Sequence, residues 1–559
     1  MIQDAGFALA AALLMLLPGI AWAVWLPEQL PGRLMISPLF GIASIAWAIE
    51  MAFYLRLPTV ATAVLLIILS AMLATARFKR IAKERWLLLH VSTLYLCCFI
   101  GSLLAISLTV WPAAGPWSVD WSANLMQLNA LWSGAPLREW MLARPPLFAA
   151  AAVPFRLFLK ALPALQVGAC AFAGSALVAM LWLARTLSDS EPLSDSALWI
   201  VVLSPFYLVN VTSIVPKFVQ GVLIVSAFVL LKGVAQDGLA ASRLMLSLAL
   251  FCFAVEIHHS TVVYALAYSV SLWYLEQRRV WSLTKSALPC ALFLSVLVAT
   301  PELLRIERFG LHEIIRYNPS NTMRSQQPTW VVLVLTIEAI FVGWGYLLPV
   351  WNMIKVARGA SLLTVGFYAN WLVFMHLGMI CNTLLLILLP FVATWNRLKS
   401  YLSFVRIHVP AVIAASLVTV PVFLGLLTPY ATASGMVHAG ATALAVGAMA
   451  LGMAWLSAAP PSWRKKTLVL TVLFGTVWWV VWNIVQYILV LRAGGFQRSG
   501  PVLDDNLDLP KLLASGEVPW GYGTFPWTIM LLGLLVIAFI GMNAWSAKRE
   551  RALGTRSTS

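Results

Sequence analysis

Charged residues are scarce in this chain of 559 residues, since Asp, Glu, Lys and Arg together make up only 10% of it. A water-soluble protein carries about 25% charged residues, so the scarcity excludes a soluble enzyme, a disordered tail and a coiled coil. In their place the chain has 61% apolar residues and a mean hydropathy of +0.88. The composition therefore predicts an all-α polytopic transmembrane bundle whose apolar side chains are covered by a lipid bilayer.

Acidic residues and paired cysteines are also few. Asp and Glu number 21 against 37 Lys and Arg, which gives a net charge of +16. Cytoplasmic loops of membrane proteins collect Lys and Arg, and no basic domain lies outside the apolar runs, so we expect no nucleic-acid partner. The six cysteines form no C-x-x-C pair, and no nucleotide-binding loop is present. The sequence thus indicates neither a zinc site nor a disulfide framework nor a soluble nucleotide cofactor.

The lengths and flanking charges of the apolar runs predict about 15–17 spans. The segment 77–85 carries five Lys and Arg residues and is predicted to be cytoplasmic, which places the loop 112–163 outside. Because 146–163 begins with proline and contains Arg156 and Lys160, we expect it to lie along the outer surface as a short amphipathic segment. Most of the cations that remain outside fall into three groups, at 138–160, 305–324 and 492–511, while Arg56 and Lys217 stand alone.

The first outer loop carries a carboxylate beside a predicted helix. Residues 122–132 show a helical pattern with Leu125, Leu128, Leu131 and Trp132 on one face, which favours a helix lying in the membrane interface. Asp120 stands at the N-cap position of this helix. An Asp there is a favoured structural cap, and it is also a positioned carboxylate that can serve as a general base. The two interpretations are compatible.

Several cations outside the membrane are candidate ligands for a phosphate. Arg144 is held out of helix by the two prolines that follow it, and its planar guanidinium suits a forked contact to phosphate. Anchoring to lipid head groups, or a solvated helix face, is the alternative for each of them. The candidates for donor phosphate binding are Arg138, Arg144, Lys217, Arg305, Arg308 and Arg316.

Polar residues at the outer end of the predicted span 241–258 are costly beside lipid unless they face a cavity or a partner. Glu256, His258 and His259 are therefore candidates for substrate binding, although interfacial packing or pairing of Glu256 with Lys217 explains them as well. Adjacent His residues point in different directions on a helix, which argues against one shared metal ion.

Two further residues, Trp121 and Glu50, are candidates for a functional role. Trp121 belongs either to the interfacial aromatic belt or to a sugar-stacking surface. Glu50 lies within a span and is a functional candidate for which the sequence offers no partner.

The order of these features along the chain resembles that of the GT-C superfamily of integral-membrane glycosyltransferases, which includes protein O-mannosyltransferases and lipid A aminoarabinose transferases. The resemblance rests on the outer loop with Asp120, the amphipathic helix, Arg144-Pro145-Pro146-Leu147 and the span that contains Ser204-Pro205-Phe206-Tyr207. It implies three parts: accessory helices at 1–85, a GT-C-like catalytic module at 86–330 with the outer loop 112–163, and C-terminal helices at 331–559 with the outer loop 493–525.

The resemblance implies a transferase of the cell envelope, in a bacterial inner membrane with its site on the outer side. Such an enzyme moves a sugar from a polyprenyl-phosphate donor to a glycan, lipid or protein acceptor. Asp120 would act as the base, and the cations would hold the phosphate leaving group. Many relatives carry a second acid where this chain has Lys217, which weakens a two-carboxylate or metal-bridged mechanism. No cofactor is required, and a divalent metal ion stays an open alternative.

Two other functions fit the same composition. One is a flippase or transporter for a lipid-linked glycan, although we find no internal repeat of the kind that transporters often show. The other is a ligase or polymerase of the O-antigen type, which uses a diphosphate-linked donor and would depend on the arginines of 304–328.

Overall fold

The computed structural model describes residues 2–107, 119–137, 141, 144–187, 197–258 and 281–316 with short gaps, and scattered positions at 261–272 and 443–477. Within these residues every regular element is a helix, which confirms the all-α prediction. The α-helices are α1 (Ile2–Leu14), α2 (Leu17–Trp25), α3 (Arg33–Tyr54), α4 (Thr59–Thr75), α5 (Phe78–Ser107), α6 (Val119–Ser133), α7 (Leu147–Ala150), α8 (Ala161–Leu187), α9 (Leu198–Val202), α10 (Pro205–Thr212), α11 (Lys217–Gly233), α12 (Ala240–Ile257), α13 (Trp281–Phe309) and α14 (Leu311–Arg316).

Four helical stretches in the described residues are long and apolar enough to cross a membrane, which supports a lipid environment. They are Gly6–Trp25, Arg33–Tyr54, Phe78–Ile106 and Ala161–Thr186. The helices Thr59–Thr75 and Lys217–Leu231 are apolar but shorter. The predicted total of about 15–17 spans stays a prediction, because most of the region after residue 316 lies outside the described residues.

Helices α3 and α8 form the centre of the bundle, and small residues allow their neighbours to approach closely. A Cβ atom on Gly19 of α2 would lie 1.8 Å from the carbonyl oxygen of Ser37 in α3. A Cβ atom on Gly174 of α8 would lie 2.9 Å from the backbone nitrogen of Phe99 in α5. Such backbone-to-backbone contact is how helices gain van der Waals packing where lipid supplies no hydrophobic drive.

Cations and carboxylates join at the end of the bundle where α3 and α5 begin. The buried Arg33 donates hydrogen bonds to the Ala23 carbonyl oxygen (2.6 Å) and to Glu84 Oε1 (2.5 Å). Lys83 Nζ lies 2.8 Å from Glu28 Oε2, and this ammonium lowers the pKa of the Glu28 carboxyl group. The segment predicted to be cytoplasmic is thus tied to the start of α3, so Tyr54 marks the opposite end.

The segment 146–163 does not cross the bundle as a helix, in agreement with its predicted short form. Before α8 begins at Ala161, it contains only α7 and a 3-10 turn at Val153–Leu157, each far shorter than the roughly 20 residues that a span needs. However, residues 147–153 are fully buried or nearly so, and Ala152 packs against Gly168 of α8. The prediction of a surface segment is therefore wrong for residues 147–153, where surrounding helices shield irregular backbone from lipid, whereas Leu157 and Lys160 are exposed.

Helix α6 differs from its prediction in a similar way. On its apolar face Leu125, Leu128 and Leu131 are at most 2% exposed and pack within the protein, chiefly toward α7 and α8, whereas Trp132 at the end of the face is 37% exposed. The pattern that predicted a helix lying in lipid is therefore the pattern of a helix docked on the bundle, since both environments select the same apolar stripe.

Candidate functional site

Helix α6 carries two buried polar residues, on the face where helical spacing also puts the position of Asp120. The helix begins at Val119, so Asp120 lies in its first turn instead of at the N-cap, and its side chain is outside the described atoms, as is that of Trp121. Asn124 and Gln127 follow at intervals of four and seven residues, which places the three positions on one face. Asn124 is 3% exposed and Gln127 is fully buried.

This polar face holds together two segments that carry predicted phosphate ligands. Asn124 Nδ2 donates to the Ile214 carbonyl oxygen at 3.3 Å, three residues before Lys217. Gln127 Nε2 donates to the carbonyl oxygens of Met141 (2.8 Å) and Arg144 (2.9 Å). The backbone hydrogen bonds therefore fix the segments of Arg144 and Lys217 relative to the helix of Asp120.

The turn before Lys217 is itself fixed by Asn210, a residue that the sequence analysis did not single out. Asn210 Oδ1 accepts a hydrogen bond from the Phe218 amide (3.1 Å), and the Asn210 carbonyl oxygen accepts one from the Val215 amide (2.8 Å). Ile214 adopts φ +53°, a left-handed conformation that is rare for a β-branched residue. A lone Asn before Val-Thr-Ser-Ile-Val-Pro was the available signal, since Asn commonly closes turns.

Lys217, at the start of α11, meets His258, which directly follows the end of α12. Lys217 Nζ lies 3.2 Å from His258 Nε2, and His258 is 7% exposed. One helical turn along α11, Gln220 Nε2 donates to Thr261 Oγ1 at 2.9 Å and ties the segment after His258 to α11. Two of the predicted site residues are thus in contact, although they are 41 positions apart in the sequence.

The Ser-Pro motif has a structural role in the same region. Ser204 precedes α10, and its Oγ accepts a hydrogen bond from the Tyr207 amide at 3.2 Å, as expected of an N-cap residue. The Tyr207 hydroxyl lies 2.5 Å from Ser102 Oγ in α5, and Tyr207 is fully buried. The motif therefore anchors the helix that leads to Asn210 and Lys217.

The remaining predicted cations are arranged differently from the predicted loop. Helix α13 continues to Phe309, so Arg305 and Arg308 lie on a helix and not in a loop at 304–328. Arg305 is fully buried and donates to both Glu302 carboxylate oxygens, at 2.7 and 2.5 Å. Arg308 is exposed and lies 6.0 Å from the Phe53 ring centroid. Arg305 is therefore part of an internal ion pair, and its guanidinium group binds Glu302 instead of a phosphate.

Three other predicted site residues have no described side chain. Arg138 and His259 lie outside the described residues, and Arg316 is the last residue of α14 with its side chain outside them. Their roles stay predictions.

Glu256 faces a second polar cluster that lies apart from the contact between Lys217 and His258. The charges that act on its carboxyl group are those of Glu50, Glu302 and Arg305. Glu302 was missed in the sequence, where a Glu three residues before an Arg within an apolar run was its only signal. Among the described residues, no group of three or more His, Cys, Asp or Glu is arranged to hold a metal ion.

The fold and these polar groups define an all-helical protein with several helices able to cross a membrane and two buried polar clusters. Comparisons with protein-family models, with curated proteins and with solved structures find no match to the chain. The resemblance to the GT-C superfamily stays a prediction that rests on the motifs around Asp120, Arg144 and Ser204.

Gln127→Ala is expected to loosen the Arg144 segment from α6. The substitution leaves the buried carbonyl oxygens of Met141 and Arg144 without their amide donor, which costs about 1–3 kcal/mol of stability. Asn129→Ala, on the exposed face of the same helix, is the matched control and is expected to change stability by less than about 0.5 kcal/mol. Denaturant unfolding of both variants in detergent measures the difference, and equal stabilities would contradict this role of Gln127.

Proposed function

We propose that this protein is a multi-pass membrane glycosyltransferase that moves a sugar from a polyprenyl-phosphate donor to an acceptor on the extracytoplasmic side. The acceptor is a glycan, a lipid or a protein. The proposal takes its reaction from the GT-C resemblance. The proposal places the protein in a bacterial inner membrane, with the cation-rich start of α5 in the cytoplasm.

The observation that carries the proposal is the set of hydrogen bonds from Asn124 and Gln127. They join the helix of the predicted base, Asp120, to the two segments that carry the predicted phosphate ligands, Arg144 and Lys217. A transferase needs a base near the acceptor and positive charge near the departing phosphate, in a fixed relation to each other. Ile214, three residues before Lys217, is 90 positions from Asn124 in the sequence, so its hydrogen bond to α6 supports a common site.

The reaction assigns one step to each of these groups. The Asp120 carboxylate takes the proton of the acceptor hydroxyl while the acceptor oxygen attacks the anomeric carbon of the donor sugar. The bond between that carbon and the phosphate oxygen breaks, and the electron pair leaves with the polyprenyl phosphate. Arg144 and Lys217 stabilise the negative charge of this leaving group, with His258 holding the Lys217 ammonium in place.

A flippase or transporter for a lipid-linked glycan is the second candidate function. The observation that favours it is the buried cluster around Glu50 and Glu256, because ionisable groups inside helix bundles often mark ion or substrate pathways.

Mass spectrometry of surface glycans and glycolipids from a deletion strain tests the proposal. Wild-type protein is expected to restore a missing glycan, whereas Asp120→Asn is not, at matched amounts in the membrane. Glu307→Gln, an exposed carboxylate on α13, is the control and is expected to restore it. Dependence on Arg316 with full rescue by Asp120→Asn would favour the O-antigen ligase type, and an unchanged glycan profile would favour transport of another lipid.

A further inference from the structure

Helices α3, α12 and α13 run in the same direction and enclose a polar cluster near the end of the bundle opposite Arg33. On one side, Trp47 Nε1 of α3 donates to the Val298 carbonyl oxygen of α13 at 3.1 Å. One to two turns further along, Arg308 lies over the Phe53 ring. Glu50 falls between these two contacts, so it faces the part of α13 that carries Glu302 and Arg305.

Glu256 reaches the same cluster from α12. Cys252 of α12 hydrogen-bonds Ser295 of α13, and Glu256 follows one helical turn later, where the backbone of Glu302 approaches its carboxyl group. The groups that act electrostatically on Glu256 are Glu50, Glu302 and Arg305, and its charge acts in turn on Cys252. Three carboxyl groups from three helices therefore share one guanidinium group.

The guanidinium group is already committed to one of the three carboxylates. Arg305 forms a two-fold hydrogen bond with Glu302, which neutralises that pair. Glu50 and Glu256 are both 0% exposed, and none of their four carboxylate oxygens has a side-chain hydrogen-bond partner among the described residues; the backbone of Glu302 is the polar group that approaches Glu256 there. If both ionised, two negative charges would lie in the bundle without a counter-charge of their own, which is strongly unfavourable.

Tyr54 supplies an independent sign that the cluster binds something. Its side chain is 8% exposed, and its hydroxyl has no hydrogen-bond partner in the described part of the chain. The charged groups around this hydroxyl are the same four side chains, from α3, α12 and α13. A buried hydroxyl close to two carboxyl groups that lack side-chain partners is suited to donate a hydrogen bond to one of them.

We propose that Glu50 and Glu256 form a proton-binding site within the bundle, with Tyr54 beside it, and that they hold at least one proton between them at neutral pH. A proton fits better than a metal ion, because the described carboxylates are not gathered around a common point that could hold one. The site is of the kind through which membrane proteins couple proton movement to transport or catalysis. It does not rest on the proposed transferase reaction.

Infrared difference spectroscopy of the full-length protein in lipid nanodiscs tests the proposal. Wild-type protein is expected to show the carbonyl stretch of a protonated carboxyl group at neutral pH and to lose it in alkaline buffer. The band is expected to weaken in Glu50→Gln and in Glu256→Gln and to disappear in the double variant. Glu307→Gln, with its exposed carboxylate on α13, is expected to leave the band unchanged.

Two results would overturn the proposal. The first is a wild-type spectrum without the band at neutral pH, or a band that survives in the double variant. The second is a band that vanishes when sodium replaces choline at constant pH, which would make the site a sodium site. Thermal unfolding gives a second measurement that does not need the band: the Gln variants are expected to be at least as stable as wild type in alkaline buffer, where the wild-type site loses its proton, and a lower stability there would contradict the proposal.

Discussion

Asp120→Asn is expected to lower the rate of sugar transfer by about 10²–10⁴-fold, the range by which a positioned general base accelerates a reaction. Asn has nearly the same shape as Asp and remains a good residue for a helix start, so the fold of α6 is expected to survive. The loss would therefore come from the missing proton acceptor and not from a displaced helix.

The measurement is the initial rate of transfer from a labelled polyprenyl-phosphate sugar, in membranes with equal amounts of each variant. Glu307→Gln is expected to retain the wild-type rate, because its carboxylate is exposed on α13. Gln127→Ala is expected to lower the rate less than Asp120→Asn, since it moves the Arg144 segment without removing the base. A wild-type rate in Asp120→Asn would reduce Asp120 to a structural residue of the first turn.

Arg305→Ala is expected to destabilise the bundle by about 3–5 kcal/mol, the cost of breaking a buried ion pair by removing one partner. Arg305 is fully buried, and its guanidinium neutralises Glu302 beside Glu50 and Glu256. Without it, the carboxylates would have to bind further protons or force the three helices apart. The free energy of unfolding in detergent, measured with denaturant, reports the change.

A neighbouring arginine provides the matched control for this substitution. Arg308 lies three residues further along α13, exposed over Phe53, and Arg308→Ala is expected to cost no more than about 1 kcal/mol. The double variant Glu302→Gln with Arg305→Met is expected to recover much of the lost stability, because it removes both charges. Equal effects of Arg305→Ala and Arg308→Ala would show that the buried pair contributes little.

The membrane-type fold could be read from local features of the sequence. Helix formation and burial in apolar surroundings follow from composition and from runs of apolar residues, and α3, α5 and α8 lie where such runs were found. The cations of 77–85 also predict the orientation of the bundle, and the structure ties this segment to the start of α3 through Glu84 and Arg33. These properties depend on neighbouring residues along the chain, so no tertiary contact was needed to infer them.

Segments whose patterns fit two environments were assigned less well. The stripe of Leu125, Leu128 and Leu131 predicts an apolar surface without telling lipid from protein, and the structure packs it against other helices. Residues 147–153 were likewise placed at the surface, although they are buried. In both cases the deciding factor is which helices lie nearby, and periodicity along one helix carries no information about that.

The sequence by itself determined the apolar helices, the cation-rich end, and Asp120, Arg144, Lys217 and His258 as polar residues that call for a role. Only the tertiary structure decided which of them meet. It joined Lys217 to His258, assigned Arg305 to Glu302, and brought Glu256 to Glu50 across more than 200 residues. The physical reason is that a buried charge is stabilised by the nearest groups in space, and helix packing sets that distance independently of separation along the chain.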